Sequence, residues 1–167
     1  MRRTDTSDWP CNIARSASVL GDHWNILLIR QACLGIRRYE QFQRTLGIGR
    51  NMLTIRLNGL VEHGILERVD YQANPPRHEY RLTDKGRALF PAITALRQWA
   101  DRWVLGTDKA PMHAVEIASG EEIAEVRVLS RAGRELAPWD VALIAGPGAT
   151  RATRARLEAI LKARKLA

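Results

Sequence analysis

Once Leu53, Leu57 and Leu60 are assigned to one side of the segment starting at Arg50, the residues left opposite them are Arg50, Asn51, Thr54, Ile55 and Asn58. Arginine, asparagine and threonine can hydrogen-bond base edges, and a helix start suits an anionic phosphate. A second cationic set, Arg68, Arg77, His78 and Arg81, lies around Pro75-Pro76, and Arg37-Arg38 form a third. These residue types recognise a polyanion rather than break a bond. Nothing points to catalysis: Gly-x-Ser-x-Gly, His-Glu-x-x-His and a dinucleotide fingerprint are all missing. Gly146-Pro147-Gly148 has no following Lys-Ser or Lys-Thr and reads as a turn rather than a phosphate loop. Glu62 and Glu67 belong to solvated surfaces. His23, His63, His78 and His113 are scattered, without a cysteine or carboxylate at ligand spacing. We expect no enzyme activity, no cofactor and no metal.

These side chains need elements to position them. A helix from Asn12, its expected cap, runs to Leu20 and ends at Gly21. Asp22 caps a second helix whose Trp24, Ile26, Leu27, Leu28, Ile29 and Cys33 leave little polar face, which makes it the buried central helix. Residues 39–46 form a short helix burying Phe42 and Leu46. Gly47-Ile48-Gly49 is a tight turn, and the segment from Arg50 to about His63 is a longer helix closed by Gly64. The period then changes to alternation over 65–71 and 78–82, either side of Asn74-Pro75-Pro76, giving a two-stranded ribbon. Thr83 opens a helix to about Leu105, stepped or kinked at Pro91, with Leu89, Ile93, Leu96, Trp99 and Trp103 on one stripe. Three short strands are expected at 114–117, 125–129 and 141–144, and a basic helix at 150–165.

A short helix, a glycine turn, a longer helix and a ribbon follow the order of a winged helix–turn–helix. The fold class is therefore α+β and mainly helical, with a small β-rich appendage and a basic terminal helix. A solvated polar face alone would explain the outward residues of the longer helix. The ribbon favours binding, because a finger stiffened by two prolines and edged with arginines makes poor core but reaches a phosphate backbone well.

Composition agrees. The 167 residues are 46% apolar and 26% charged, as in ordinary soluble domains, and carry a net charge of +8. Residues 1–105 hold 16 basic and 10 acidic side chains (+6), residues 106–148 hold 4 and 7 (−3), and residues 149–167 hold 6 and 1 (+5). A basic body, an acidic insert and a basic tail define the three expected regions. No apolar run approaches a membrane span, and Met1-Arg2-Arg3-Thr4-Asp5 leads into no apolar signal region. Two cysteines cannot form a disulfide framework, so the expected location is a reducing cytoplasm.

Specific motifs narrow the reading. Cys11 followed by Leu20-Gly21-Asp22-His23-Trp24 and Leu27-Leu28-Ile29-Arg30 resembles the opening of HxlR-type transcriptional regulators, a branch akin to the MarR family. Arg38-Tyr39-Glu40-Gln41-Phe42, Leu53-Thr54-Ile55-Arg56-Leu57, Gly64-Ile65-Leu66-Glu67-Arg68, Pro75-Pro76-Arg77-His78-Glu79-Tyr80 and Leu82-Thr83-Asp84-Lys85-Gly86 follow in family order. The resemblance covers about residues 11–104. It implies a bacterial homodimeric regulator, expected to be a repressor, on palindromic promoter DNA. The expected DNA-binding set is Arg37, Arg38, Gln41, Arg50, Asn51, Thr54, Ile55, Arg56, Asn58, Arg77 and His78. Arg56 is assigned either to a phosphate or to a partner within the chain. The expected dimer interface is the stripe Leu89, Ile93, Leu96, Trp99 and Trp103, which needs cover on any reading. Gly49 stands where such proteins carry a capping Ser or Thr, a change costing only a few tenths of a kcal/mol. The second reading of the same features is a winged-helix adaptor for an acidic protein partner.

Several members of the family resembled sense oxidants or electrophiles through an N-terminal cysteine. Cys11 stands at that position, before a helix start and one turn from Arg15, a setting that attracts a thiolate. Packing near the dimer interface is the alternative role for Cys11, and core packing is the role expected of Cys33. The effector, an oxidant or another small molecule, stays open. Residues 113–148 resemble the zinc-ribbon-like appendage of some such regulators, with ligand positions near Ser119, Leu129 and Ala132, none of which binds zinc strongly. The appendage is therefore expected to be metal-free and held by Val115, Ile117, Val126, Val128, Trp139, Val141 and Leu143.

Overall fold

The structure, a computed structural model, describes residue 6 and residues 8–166; the Met1–Asp5 segment read above lies outside them. Helix α1 (Asn12–Leu20) leads through Gly21 into α2 (His23–Cys33), whose start is capped by Asp22 accepting the Trp24 N–H at 2.9 Å. Asn12 is the first helical residue rather than the cap; Cys11 holds the cap position and offers no side-chain hydrogen bond. Helices α3 (Tyr39–Leu46) and α4 (Arg50–Glu62) are separated by a turn in which Gly47 is left-handed at φ 62°.

The wing consists of β1 (Leu66–Gln72) and β2 (Arg77–Leu82), antiparallel, with Leu66 opposite Leu82 and Asp70 opposite His78. A short helix α5 (Asp84–Arg87) and then α6 (Phe90–Ala100) follow, the step between them falling beside Pro91 in the first turn of α6. The chain continues from α6 as a π-wound turn over Asp101–Leu105. Helix α7 (Arg151–Leu166) comes last.

Helix α2 is central, touching α1, α3, α4, α6 and β2. The core is Leu28 and Ile29 of α2, Phe42 of α3, Leu53, Leu57 and Leu60 of α4, Ile48 and Ile65 beside them, and Leu66 and Tyr80 of the wing. Tyr80 meets Phe42 edge to face, 6.4 Å between ring centres, which fixes the wing to the helix–turn–helix. Thr83 closes the wing's base: its hydroxyl caps α5 by accepting the Gly86 N–H and donates to the Gly64 carbonyl at 2.6 Å. Gly86 then packs so tightly on the Ile65 carbonyl that an added Cβ would lie 2.2 Å from that oxygen.

Residues 106–148 differ in detail from the three expected strands. They form two tight antiparallel turns, each with one isolated bridge, Val115 to Glu122 and Leu129 to Glu135, and 141–144 pairs with neither as a strand. Segments this short, joined by turns and met by side chains such as Gln98 and Arg164 rather than by further strands among the described residues, have too few partners to extend a ladder. The packing expected there is not found among the described residues. Val115, Ile117, Val126, Val128, Trp139, Val141 and Leu143 are all exposed, Ile117 completely so.

Candidate nucleic-acid interface

The outward face of α4 is presented by its own amphipathic pattern. With Leu53, Leu57 and Leu60 fully sequestered, Arg50, Asn51, Thr54 and Ile55 project into solvent, Ile55 being 61% exposed. Tyr39, which the sequence reading did not single out, braces the start of this face. Its hydroxyl donates to the Arg50 carbonyl at 2.9 Å and meets the Thr54 hydroxyl at 3.1 Å. The first turns of α3 and α4 are thereby held at a fixed separation. Pairing of Tyr39 with Thr54 at i,i+15 across a glycine turn was the only available signal.

Other members of the expected set divide into exposed and committed side chains. Arg37 and Arg77 are exposed, with no side-chain ion pair among the described residues. For Arg56 the structure shows the second of the two expected roles: its guanidinium pairs with Asp22 at 2.6 Å and is three-quarters covered, so it ties α4 to the cap of α2. Asn58 is engaged within the chain: its Oδ1 accepts from Arg68 of β1 and joins α4 to the wing. Gln41 is likewise engaged. Its Oε1 accepts the Arg38 N–H at 3.1 Å and closes the first turn of α3. In each case a polar side chain found a partner within the chain, which the sequence spacing could not show.

The wing is oriented by a small charged brace. Glu79 of β2 receives Arg81 at 3.1 Å and Arg38 at 3.5 Å. The Arg81 hydrogen bond is the main reason its carboxyl ionises below the usual carboxylate range; partial desolvation opposes this and Arg38 assists it. Arg38 also lies over the Tyr71 ring, 4.8 Å from its centre, while the Tyr80 N–H donates to the Arg37 carbonyl at 2.8 Å. Arg38 is thus partly committed to the wing, although half its side chain is exposed. His78 is half-buried against Tyr80, its Nε2 3.2 Å from the phenolic oxygen, and points along the wing rather than off its tip. What remains on one continuous set of elements is Arg37, Arg50, Asn51, Thr54, Ile55 and Arg77, with Arg38 beside them.

The cysteines are unlike each other. Cys11 is exposed, and Arg15 donates from Nε to the Trp9 carbonyl at 2.9 Å instead of serving the thiol. Cys33 is half-buried at the end of α2, where burial pushes its thiol above the ordinary cysteine range.

The expected dimer stripe also divides. Leu89 and Ile93 pack against the chain's own core, whereas Leu96, Trp99 and Trp103 stand 50%, 58% and 69% exposed. The step between α5 and α6 turns the first part of the stripe inward and leaves the rest outside.

Helix, turn, helix and ribbon in this arrangement define a winged helix–turn–helix protein. The HxlR-like helix-turn-helix family model matches residues 19–108. An uncharacterised HTH-type transcriptional regulator of Mycobacterium tuberculosis, Rv3095, is 38% identical over 137 residues, covering 82% of this chain and 87% of its own. Among solved structures, the candidate transcription factor PA1607 is 38% identical with a TM-score of 0.80, covering 86% of this chain and all of its own. The redox regulator HypR in its reduced form is 33% identical with a TM-score of 0.52, covering 57% of this chain and 97% of its own. The chain belongs to the HxlR-like helix-turn-helix family, a group of DNA-binding transcriptional regulators with a MarR-like fold.

Proposed function

We propose that this regulator works as a homodimer that represses transcription from a palindromic promoter site, with α4 in the major groove and the wing on the flanking backbone. The observation carrying this reading is the outward row Arg50, Asn51, Thr54 and Ile55 on a helix whose opposite side is wholly buried. Arginine suits guanine, asparagine suits adenine, and threonine and Ile55 offer methyl groups to thymine. Arg37 and Arg77 then serve as phosphate or minor-groove contacts that set register without reading sequence. Two copies placing their α4 helices about 34 Å apart would read half-sites one helical turn apart. A basic body of net charge +6 supplies the sequence-independent part of the affinity.

The deciding experiment is a footprint on promoter fragments followed by binding of Asn51→Ala to single-base variants of the protected site. Loss of discrimination worth about 1–3 kcal/mol at one base per half-site is expected. Uniform weakening on every sequence would place Asn51 on the backbone, and a single unrepeated half-site would remove the palindrome. Protection overlapping the promoter supports repression; protection wholly upstream would favour activation.

Oxidation of Cys11 is the regulatory part of the proposal. Its support is an exposed thiol at the N-cap of α1 together with the likeness to HypR, a redox regulator 33% identical to this chain. A sulfenate or a mixed disulfide at the head of α1 adds bulk beside the element that leads into the central helix.

A further inference from the structure

Residues 106–148 pose a physical problem that one protomer leaves unsolved. All 43 are described, and none of them is buried. Yet Ile117, Val128, Leu129, Trp139, Leu143 and Ile144 stand between 55% and 102% exposed. Apolar surface on this scale, ordered by backbone hydrogen bonds rather than by its own core, marks a face that is covered in the working protein.

The module is nevertheless fixed to the body. Gln98 of α6 acts as a surrogate strand: its Nε2 donates to the Ala124 carbonyl at 3.0 Å and its Oε1 accepts the Val126 N–H at 2.8 Å. Arg102 reaches Glu125 at 3.7 Å from the π-wound turn. Gln98 adjoins the exposed Trp99 in sequence, so the 124–126 segment is attached beside that residue. Charge identifies the occupant: the module's net −3 repels a phosphate backbone but complements the net +6 of residues 1–105.

We propose that residues 106–148 of each protomer form an arm of the dimer interface, laying their apolar face on the basic body of a second copy of this chain. The inference rests on the homodimer reading of α6 and extends it beyond the family-matched segment, which ends at residue 108. Ile117 and Trp139 then serve as anchors in the partner, and Gln98 holds the arm at the angle that permits the embrace.

Sedimentation equilibrium of the full-length chain tests this with Ile117→Asp and Ile144→Asp, both positions being exposed within the protomer and therefore free of a folding role. Each is expected to raise the dimer dissociation constant at least tenfold with the far-ultraviolet circular dichroism unchanged. Hydroxyl-radical footprinting supplies the second readout. Ile117, Trp139 and Ile144 should oxidise several-fold more slowly in the wild-type dimer than in Trp99→Asp, the variant expected to be monomeric. Unchanged dissociation constants for both module variants, or equal oxidation in dimer and monomer, would overturn the arm. If Trp99→Asp dissociates the dimer while the module variants do not, the α6 interface stands and the arm alone fails. A wild-type monomer would defeat both readings together.

Discussion

At the residue scale, the difference between Arg77 and Arg56 shows what decides whether an arginine can serve DNA. Arg56 sits on the helix that carries the proposed recognition face, yet Asp22 holds it at 2.6 Å with most of its surface covered. Moving it to a phosphate would leave the largely buried Asp22 carboxylate without its cation, a cost that a screened backbone contact does not offset. Arg77 opens β2 next to the prolines, is exposed, and loses nothing in turning to a phosphate. Arg77→Ala should therefore weaken specific and random duplexes alike and lower the salt slope of binding by about one unit. A slope equal to wild type would take the wing off the DNA. Cys11 belongs at this scale too. Mild peroxide should reduce operator binding by the wild type and leave Cys11→Ser unaffected. Equal sensitivity of the two would make Cys11 an exposed thiol without a regulatory role.

The element scale is governed by joints. The wing is attached at its base by Thr83 and Gly86, and along its length by Tyr80, Glu79 and the Arg68–Asn58 contact. Gly86 is the least tolerant of these positions, because a methyl group there meets backbone rather than a movable side chain. Gly86→Ala should lower stability by roughly 1–3 kcal/mol, the usual range for overpacking a closed site. Urea unfolding provides the measurement, and a midpoint within error of wild type would show that α5 shifts freely. The same joint explains the split stripe on the segment after the wing. Pro91 and the step before it let Leu89 and Ile93 turn into the core while Trp99 and Trp103 stay outside.

For the whole molecule, exposed tryptophans are the main liability. Trp99 and Trp103 lie on the outer side of α6 and its π-wound continuation, where their apolar area stabilises nothing in a lone protomer. Buried in an interface, each would rank among its main energetic contributors. Trp99→Asp is accordingly expected to sediment as a monomer at micromolar concentration and to lose affinity for a full palindrome far more than for a half-site. A variant that remains dimeric would relocate the interface. Opposed charge across the chain acts over the same range: the acidic insert keeps a strongly basic protein from presenting one sign on every side.

Local pattern was enough for much of this. The bounds of α3 and α4, the Asp22 cap, the step at Pro91 and the wing with its proline-rich tip all follow from periodicity and from residues with strong backbone preferences. So does the core side of α4, because burying one stripe of a helix is a one-dimensional property. Where long polar side chains end up is not. Asn58 and Gln41 looked as available as Arg50 and Asn51 until folding brought Arg68 and the Arg38 N–H within hydrogen-bond reach, and only folding chose Asp22 for Arg56. Tyr39 acquired its bracing role in the same way. The appendage shows the converse: its apolar residues were legible as core-formers, but a core needs a second layer, and the described residues leave them exposed. Sequence determined which residues must be buried or may hydrogen-bond; tertiary structure chose their partners, because contacts between distant segments depend on the packing of every element between them.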